Sequence, residues 1–371
     1  MSFEKLPKLT FWRAVLLVIL AAGFYSTLLR FTKGLGAATH LSDRFPWGLW
    51  IGFDVICGVG LAAGGFTLAA TVYLFHLRRF HPILRPSILT AFLGYALVAV
   101  ALFYDLGRPY NIWHPLIMWN PHSVMFEVAW CVMLYLTVLA LEFSPAVFER
   151  LRMQKALKIL QAITIPLVIL GVLLSTLHQS SLGSLFLIVP SKLHPYWYSP
   201  LLPLFFFISA VATGMAMVIF ESNLSAQAFG QEIEMPLLAS LGKAMAVVLA
   251  VYGILRLQDL RARGALIHLR EPSTETVLFA LEIVLGLLFP LFLLLFRRVR
   301  EDREGLFAAA VLVITGFLLN RLNVSITGLE YSAHAYYFPK WTEVAVTLSI
   351  VGTGFLCFGL AARYLNVFEA D

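Results

Sequence analysis

Ten long apolar runs, each broken by few or no charges, fill most of this 371-residue chain. About 20 such residues cross roughly 30 Å of hydrocarbon as a helix. Inside lipid the backbone has to satisfy its own hydrogen bonds, and a helix does this within one segment. The runs fall at 11–30, 48–75, 86–104, 122–143, 157–177, 200–221, 236–256, 275–296, 305–321 and 341–364. They are unbroken blocks, not the alternating ten-residue segments of a membrane β-barrel. Hydrophobic residues make up 60% of the chain and charged residues 13%, with mean hydropathy +0.84. A soluble domain carries about twice that share of charge, so a water-soluble globule, a disordered chain and a disulfide scaffold are excluded. The expectation is an all-α polytopic membrane protein of about ten spans, forming a single integral membrane domain over 1–371. The first run, from Phe11, lacks a small-residue cleavage site and reads as a retained span, not a signal peptide.

Charge sets the expected orientation. With the N-terminus inside, one face collects Lys5, Lys8, Arg13, Arg78, Arg79, Arg85, Arg150, Arg152, Lys155, Lys158, Lys243, Arg297, Arg298, Arg300, Arg303 and Arg363, which is 16 of the 27 Lys and Arg. By the positive-inside rule this predicts N-in and C-in in a bacterial inner membrane, although Arg256, Arg261, Arg263 and Arg270 run against the bias. The net charge of +6 is then a cytoplasmic rim and not a nucleic-acid surface, since no soluble basic module exists to carry one. Segments 31–47, 105–121, 178–199 and 322–340, on the opposite face, are rich in Trp, Tyr, Pro and His. "WHPLIMWNPH" and "KLHPYWYSP" within or beside them read as interfacial belts or docking surfaces.

Ionisable groups inside spans are costly in hydrocarbon and mark function first. Asp54 lies near the outer end of span two, between Phe53 and Val55. Glu127 lies near the outer end of span four. His178 and Gln179 close span five, and Asp105 and Arg108 sit where span three emerges. In the expected orientation these groups share one depth, just below the outer surface. Bland roles stand beside each: Asp105 and Arg108, three apart, can pair at a helix end, and His178 can be an ordinary interfacial histidine. Glu142 is fifteen residues beyond Glu127, about 22 Å along the helix on the same broad face. It either caps the inner end of span four or forms the inner end of a proton route, with His76, Glu221, Lys243 and Glu282 as weaker members.

Cofactor chemistry is constrained by what the spacing lacks. Cys57, Cys131 and Cys357 lie in apolar runs and form no C-x-x-C, so no iron–sulfur cluster, c-type haem or metal site is expected. A b-type haem needs two imidazoles on facing helices at matching depth. The nine histidines fall in loops or at span ends, so no haem is expected. Such a chain cannot carry electrons across the membrane alone. The small residues of "GVGLAAGG" (58–65) read as a surface for close helix packing.

"PWGLWIGFDVICGVGLAAGGFTLAATVY" (46–73), "FYDLGRPYNIWHP" (103–115), "HSVMFEVAWCVMLYLTVLALEF" (122–143) and "STLHQSSLGSLF" (175–186) resemble the NrfD or polysulfide-reductase-type membrane subunits. Among these the resemblance is to the ten-helix HybB-type subunit of uptake nickel–iron hydrogenases, over about residues 10–365. It implies a haem-free subunit that binds menaquinone or ubiquinone near the periplasmic face. It also implies a periplasmic ferredoxin-like iron–sulfur partner and hydrogenase large and small subunits. The family's glutamate in the fourth helix and histidine ending the fifth match Glu127 and His178, and Glu142 matches a second glutamate.

The residues fit this independently. A quinone takes two electrons and two protons, needs donors at its carbonyls and an apolar slot for its ring. Trp50 and Phe53 can supply the slot, with Asp54, His178, Gln179, Asp105 and Arg108 about the headgroup. His178 can donate to a carbonyl, Asp54 or Glu127 can relay protons, and Glu127, Glu142 and His76 can form the route. Two other readings stay open: membership of another complex of the family, linked to sulfur, sulfite or a cytochrome, and a proton-coupled transporter, which would show broken helices at mid-membrane.

Overall fold

The computed structural model describes residues 10–333 and 335–368; Lys5, Lys8 and His334 lie outside the described residues. Ten helices are long and apolar enough to span a membrane: α1 (Phe11–Lys33), α2 (Trp50–Leu74), α3 (Arg78–Asp105), α4 (Val124–Arg150), α5 (Gln154–Ile188), α6 (Leu202–Phe229), α7 (Met235–Ala262), α8 (Thr274–Leu295), α9 (Arg303–Ala333) and α10 (Trp341–Tyr364). Local chemistry marks their starts. The Ser123 hydroxyl accepts from the Phe126 amide before α4, Ser273 accepts from Thr276 before α8, and Asp302 accepts from Gly305 before α9.

The chain is an all-α, multi-pass integral membrane protein, and its helices sort into two sets of four. In the first, α2 packs on α3 and α5, α3 on α4, and α4 on α5; in the second, α6 packs on α7 and α9, α7 on α8, and α8 on α9. The sets join where α2 meets α6 and α9 and where α5 meets α6, while α1 and α10 pair beside α3. Glycines make the crossings close. A Cβ at Gly214 would fall 2.7 Å from the Ala63 carbonyl carbon on α2, and one at Gly316 would fall 1.9 Å from the Gly286 Cα. The small-residue stretch of α2 thus serves packing: a Cβ on Gly60 would strike the Phe317 ring and one on Gly65 the Ala91 side chain.

Two spans outrun their apolar runs. The fifth continues through Ser180, Ser181 and Ser184 because each hydroxyl in that stretch can bond within the helix, as Ser181 does to the Leu177 carbonyl at 2.8 Å. The ninth, expected to be the shortest, runs to Ala333. Its polar residues Asn320, Arg321 and Asn323 lower the hydropathy but find partners inside the second set of helices.

Alternation of the spans produces two unlike ends. At one end the turns are short and basic, and Arg85 of α3 pairs with Glu149 of α4 at 2.7 Å. At the other, long aromatic segments lock together. Lys340 Nζ donates to the Ala37 carbonyl at 2.6 Å, Thr342 to Ala38 at 2.5 Å, and the His194 amide to Gly328 at 3.0 Å. The segment between α5 and α6 is anchored there. Arg256 and Arg263 donate to the Tyr196 and Pro195 carbonyls, and Ser199 donates to Asp259.

His194 in this segment accepts from the Tyr196 amide through Nδ1 at 3.2 Å. Burial lowers its pKa from the ordinary 6.5, outweighing the pull of Glu275 and Glu271, with His268 adding to the lowering. A depressed folded-state pKa means that the anchoring is complete above about pH 6.5 and weakens as pH falls below it. Proteolysis within 189–201 is therefore expected to quicken on acidification, and His194→Gln to flatten that response; an unchanged pH profile in the variant would refute the assignment.

Candidate functional site

The polar residues singled out above occupy three neighbourhoods instead of one shared layer. The first lies inside the first helix set. His178 is fully buried and stands ten residues before the end of α5, about 15 Å in from it. The expectation that it closes its span is thus corrected, because α5 continues through the serines beyond it. Its ring faces the Tyr95 ring of α3 at 5.7 Å, and Tyr95 makes an edge contact with Tyr135 of α4 at 4.7 Å. Ser175, one turn from His178, lies between the two phenols. Gln179 donates to the Val59 carbonyl at 3.0 Å and ties α5 to α2.

Both His178 nitrogens, the Tyr95 and Tyr135 hydroxyls, Ser175 Oγ and Glu142 Oε1 are buried without a protein hydrogen-bond partner of good geometry. Buried polar atoms are almost always bonded, and these six lie close together along one interior seam. Gly171 sits between Glu142 and Tyr135; a Cβ there would stand 3.5 Å from Glu142 Oε1 and 3.6 Å from the Tyr135 ring. Tyr95, Tyr135 and Ser175 escaped the sequence reading. The available signal was a hydroxyl in mid-span, in "FLGYALVAV" and "CVMLYLTVL".

Glu127 occupies the mouth of this seam. It lies in the first turn of α4, accepts from Ser181 Oγ at 2.5 Å and is exposed on the bundle surface between α4 and α5. A carboxylate there is favoured by the helix N-terminus. Ser181 is three residues beyond His178 on α5, so the Glu127–Ser181 bond lies within one turn of the buried imidazole. Glu127 and His178 are thus linked through Ser181 on α5, one exposed on the bundle surface and one buried in the interior.

The second neighbourhood lies between α2, α3 and α10. Asp54 is buried and accepts from Thr347 Oγ1 at 2.7 Å. Trp50 is enclosed, and its indole donates to the Glu343 carbonyl at 3.2 Å. Asp105 faces the Arg30 guanidinium of α1, which also donates to the Tyr104 and Leu106 carbonyls at 2.7 and 2.6 Å. Arg108, expected beside Asp105, is exposed. Asp54 thus sits across α2 and α3 from the His178 seam, and one common headgroup site does not form. His76 is exposed in the turn after α2, at φ 56°, outside the interior route expected for it.

The third neighbourhood, in the second helix set, centres on Glu282 and Arg321. Among the described residues four π-helical stretches interrupt the spans, and three adjoin buried charges: Trp50–Cys57 carries Asp54, Val284–Leu288 follows Glu282, and Asn323–Thr327 follows Arg321. Such turns concentrate at functional sites.

A bis-imidazole haem does not fit these residues. Among the described residues His178 is the fully buried histidine of a span, and its ring neighbour is a tyrosine. His194 lies outside the spans and accepts from its own segment. Two cavities among the described residues, of about 40 and 10 Å³, have room for waters.

The family described as "Polysulphide reductase, NrfD" matches residues 37–332, and the chain belongs to it. A Nitratidesulfovibrio vulgaris protein is 44% identical over 90% of this chain and 88% of its own length. The "probable Ni/Fe-hydrogenase 2 b-type cytochrome subunit" of Escherichia coli is 36% identical, covering 91% of this chain and 87% of its own length. The "menaquinone reductase, integral membrane subunit" of Nitratidesulfovibrio vulgaris is 27% identical over 99% of this chain and 93% of its own.

Proposed function

We propose that this chain is the haem-free, quinone-reactive membrane subunit of a respiratory oxidoreductase complex in a bacterial inner membrane. The complex is a hydrogen:quinone oxidoreductase in which a nickel–iron hydrogenase and a ferredoxin-like iron–sulfur subunit sit on the aromatic, periplasmic end. The relatives named for a nickel–iron hydrogenase and a menaquinone reductase support the donor and the acceptor. The single observation that carries the chemistry is the run of buried polar groups from Glu142 through Tyr135, Ser175 and Tyr95 to His178, with Glu127 at its mouth.

The reaction balances on these residues. A quinone taking two electrons from the external partner gains two protons at its carbonyl oxygens to become a quinol. Glu127 at the lipid-facing mouth hands on a proton, and the interior seam restores it from the basic, cytoplasmic end. Electrons from one side and protons from the other make the step electrogenic. Asp54 and Asp105, with Trp50 between α2 and α10, then shape the rim beside the electron donor and do not touch the headgroup. The transporter reading predicts broken helices at mid-span, and α2 does turn at Ala62–Ala63; the relatives named for a hydrogenase and a menaquinone reductase favour the quinone-linked reading.

Glu142→Gln tests the route. It removes the proton carrier farthest from the mouth while leaving Glu127 in place. Quinone-linked turnover of the assembled complex is expected to fall by about 10²-fold, the lower range for loss of a positioned proton-transfer group, with dye-linked activity of the external subunits unchanged. Full quinone turnover in that variant would remove Glu142 from the route.

A further inference from the structure

The second helix set repeats the first in its contacts, and it also carries a polar interior at matching depth. Tyr95 lies ten residues before Asp105 at the end of α3, and Tyr252 lies ten residues before Ala262 at the end of α7. Each is the tyrosine buried on the second helix of its set. The function proposed above uses only the first set.

The second interior is more charged than the first. Glu282 of α8 is 4% exposed, and its Oε2 accepts from Trp197 Nε1 at 2.8 Å and from Asn323 at 2.9 Å. Its Oε1 accepts a single bond, from Asn320 at 2.7 Å. The Asn320 carbonyl accepts in turn from Arg321 at 2.7 Å, so one amide couples the carboxylate to the guanidinium. Arg321 is 1% exposed, lies over the Phe206 ring at 3.6 Å, and leaves its Nε unpartnered.

Glu282, Asn320, Tyr252, Ser209 and Thr213 are the polar walls of the cavity of about 40 Å³ at the centre of this set. That space suits two or three waters, each within reach of several polar groups. A charged pair buried in a membrane protein is expensive compared with apolar packing. A purely structural role would not require a cavity with polar walls against the carboxylate.

The geometry points to a second proton-binding site, in which the open lone pair of Glu282 Oε1 takes a proton from the cavity water. The step balances as a hydronium and a carboxylate giving water and a carboxylic acid. Trp197 and Asn323 hold Oε2 throughout. Arg321, reaching the carboxylate through Asn320, and Tyr252 of α7 on the same cavity wall are the charged and titratable groups that face this site. Trp197 belongs to the anchored aromatic segment, so this site is tied directly to the surface at the aromatic end.

Infrared difference spectra of the full chain in lipid nanodiscs, recorded between two pH values without quinone or partner, read this proton directly. Among the protonated-carboxyl bands of the native chain, one component is expected to be lost in Glu282→Gln and shifted in Glu282→Asp. Native and Glu282→Gln difference spectra that superimpose would overturn the site and leave Glu282 a fixed counter-charge. Should neither replacement accumulate, Tyr252→Phe decides. A shifted midpoint of the band supports the site, and an unchanged spectrum rejects it. No quinone takes part, so failure here leaves the proposed quinone chemistry standing, and the reverse holds as well.

Discussion

Glu127→Gln is expected to lower quinone-linked turnover of the assembled complex by about 10²–10⁴-fold, the usual worth of a positioned proton donor or acceptor. The amide keeps the size and can still accept from Ser181, so the mouth of the α4/α5 seam keeps its shape. What disappears is the one group at that mouth that can give up and regain a proton. Assembly and dye-linked activity of the external subunits are expected to stay within about twofold, because Glu127 is exposed on the bundle surface and supports no packing. Glu127→Asp should restore part of the rate, since it returns a carboxylate a methylene short of the lipid. Steady-state turnover with a short-chain quinone, compared with dye reduction on the same preparation, separates the outcomes. Equal losses in both assays would indicate a broken complex, and no loss in either would remove Glu127 from the reaction.

Arg321→Met is expected to destabilise the chain by about 3–5 kcal/mol, the cost of removing one member of a buried pair and leaving the other. Arg321 donates to Asn320, to the Phe206 carbonyl and to Ser209, and it fills the space between the Phe206 and Phe317 rings. Methionine replaces much of the volume but none of the donors, and Glu282 then keeps a buried charge without its cation. Arg321→Met combined with Glu282→Gln should recover part of the loss, because the stranded carboxylate is gone. Thermal denaturation of the detergent-solubilised chain, read for the two single variants and the double, measures the coupling. Purely additive effects would show that the two charges do not sense one another through Asn320.

The spans were legible because the cost of apolar residues in water and of charges in lipid writes their positions into composition. Where the reading stopped short, polar residues inside helices were the reason. The fifth span appeared to end at 177, yet its serines bond within their own helix and carry it past His178. The ninth appeared short because Asn320, Arg321 and Asn323 look like a loop until Glu282, thirty-eight residues from Asn320 in sequence, is brought against them. Membership of the NrfD family was legible from four motifs and is shown by the match over 37–332.

The site was legible by residue type but not by grouping. Asp54 and Glu127 were chosen because carboxylates in spans are costly. Which side of a helix each faces depends on the packing of α3 and α10, and that is not written locally. Asp54 turns to Thr347, while Glu127 turns to Ser181. Tyr95 and Tyr135 were passed over because a tyrosine in a span is cheap. Only the assembled bundle shows that their rings, Ser175 and the buried His178 meet in one seam.

The position of a bound menaquinone analogue in the assembled complex, seen by electron cryomicroscopy, tests the central claim most directly. The account predicts the headgroup in the α4/α5 seam, with a carbonyl oxygen in reach of Glu127 or Ser181 and the His178–Tyr95 cluster behind it. A headgroup seated against Asp54 and Glu343 between α2 and α10, or one at the basic end beside Arg85, would contradict it.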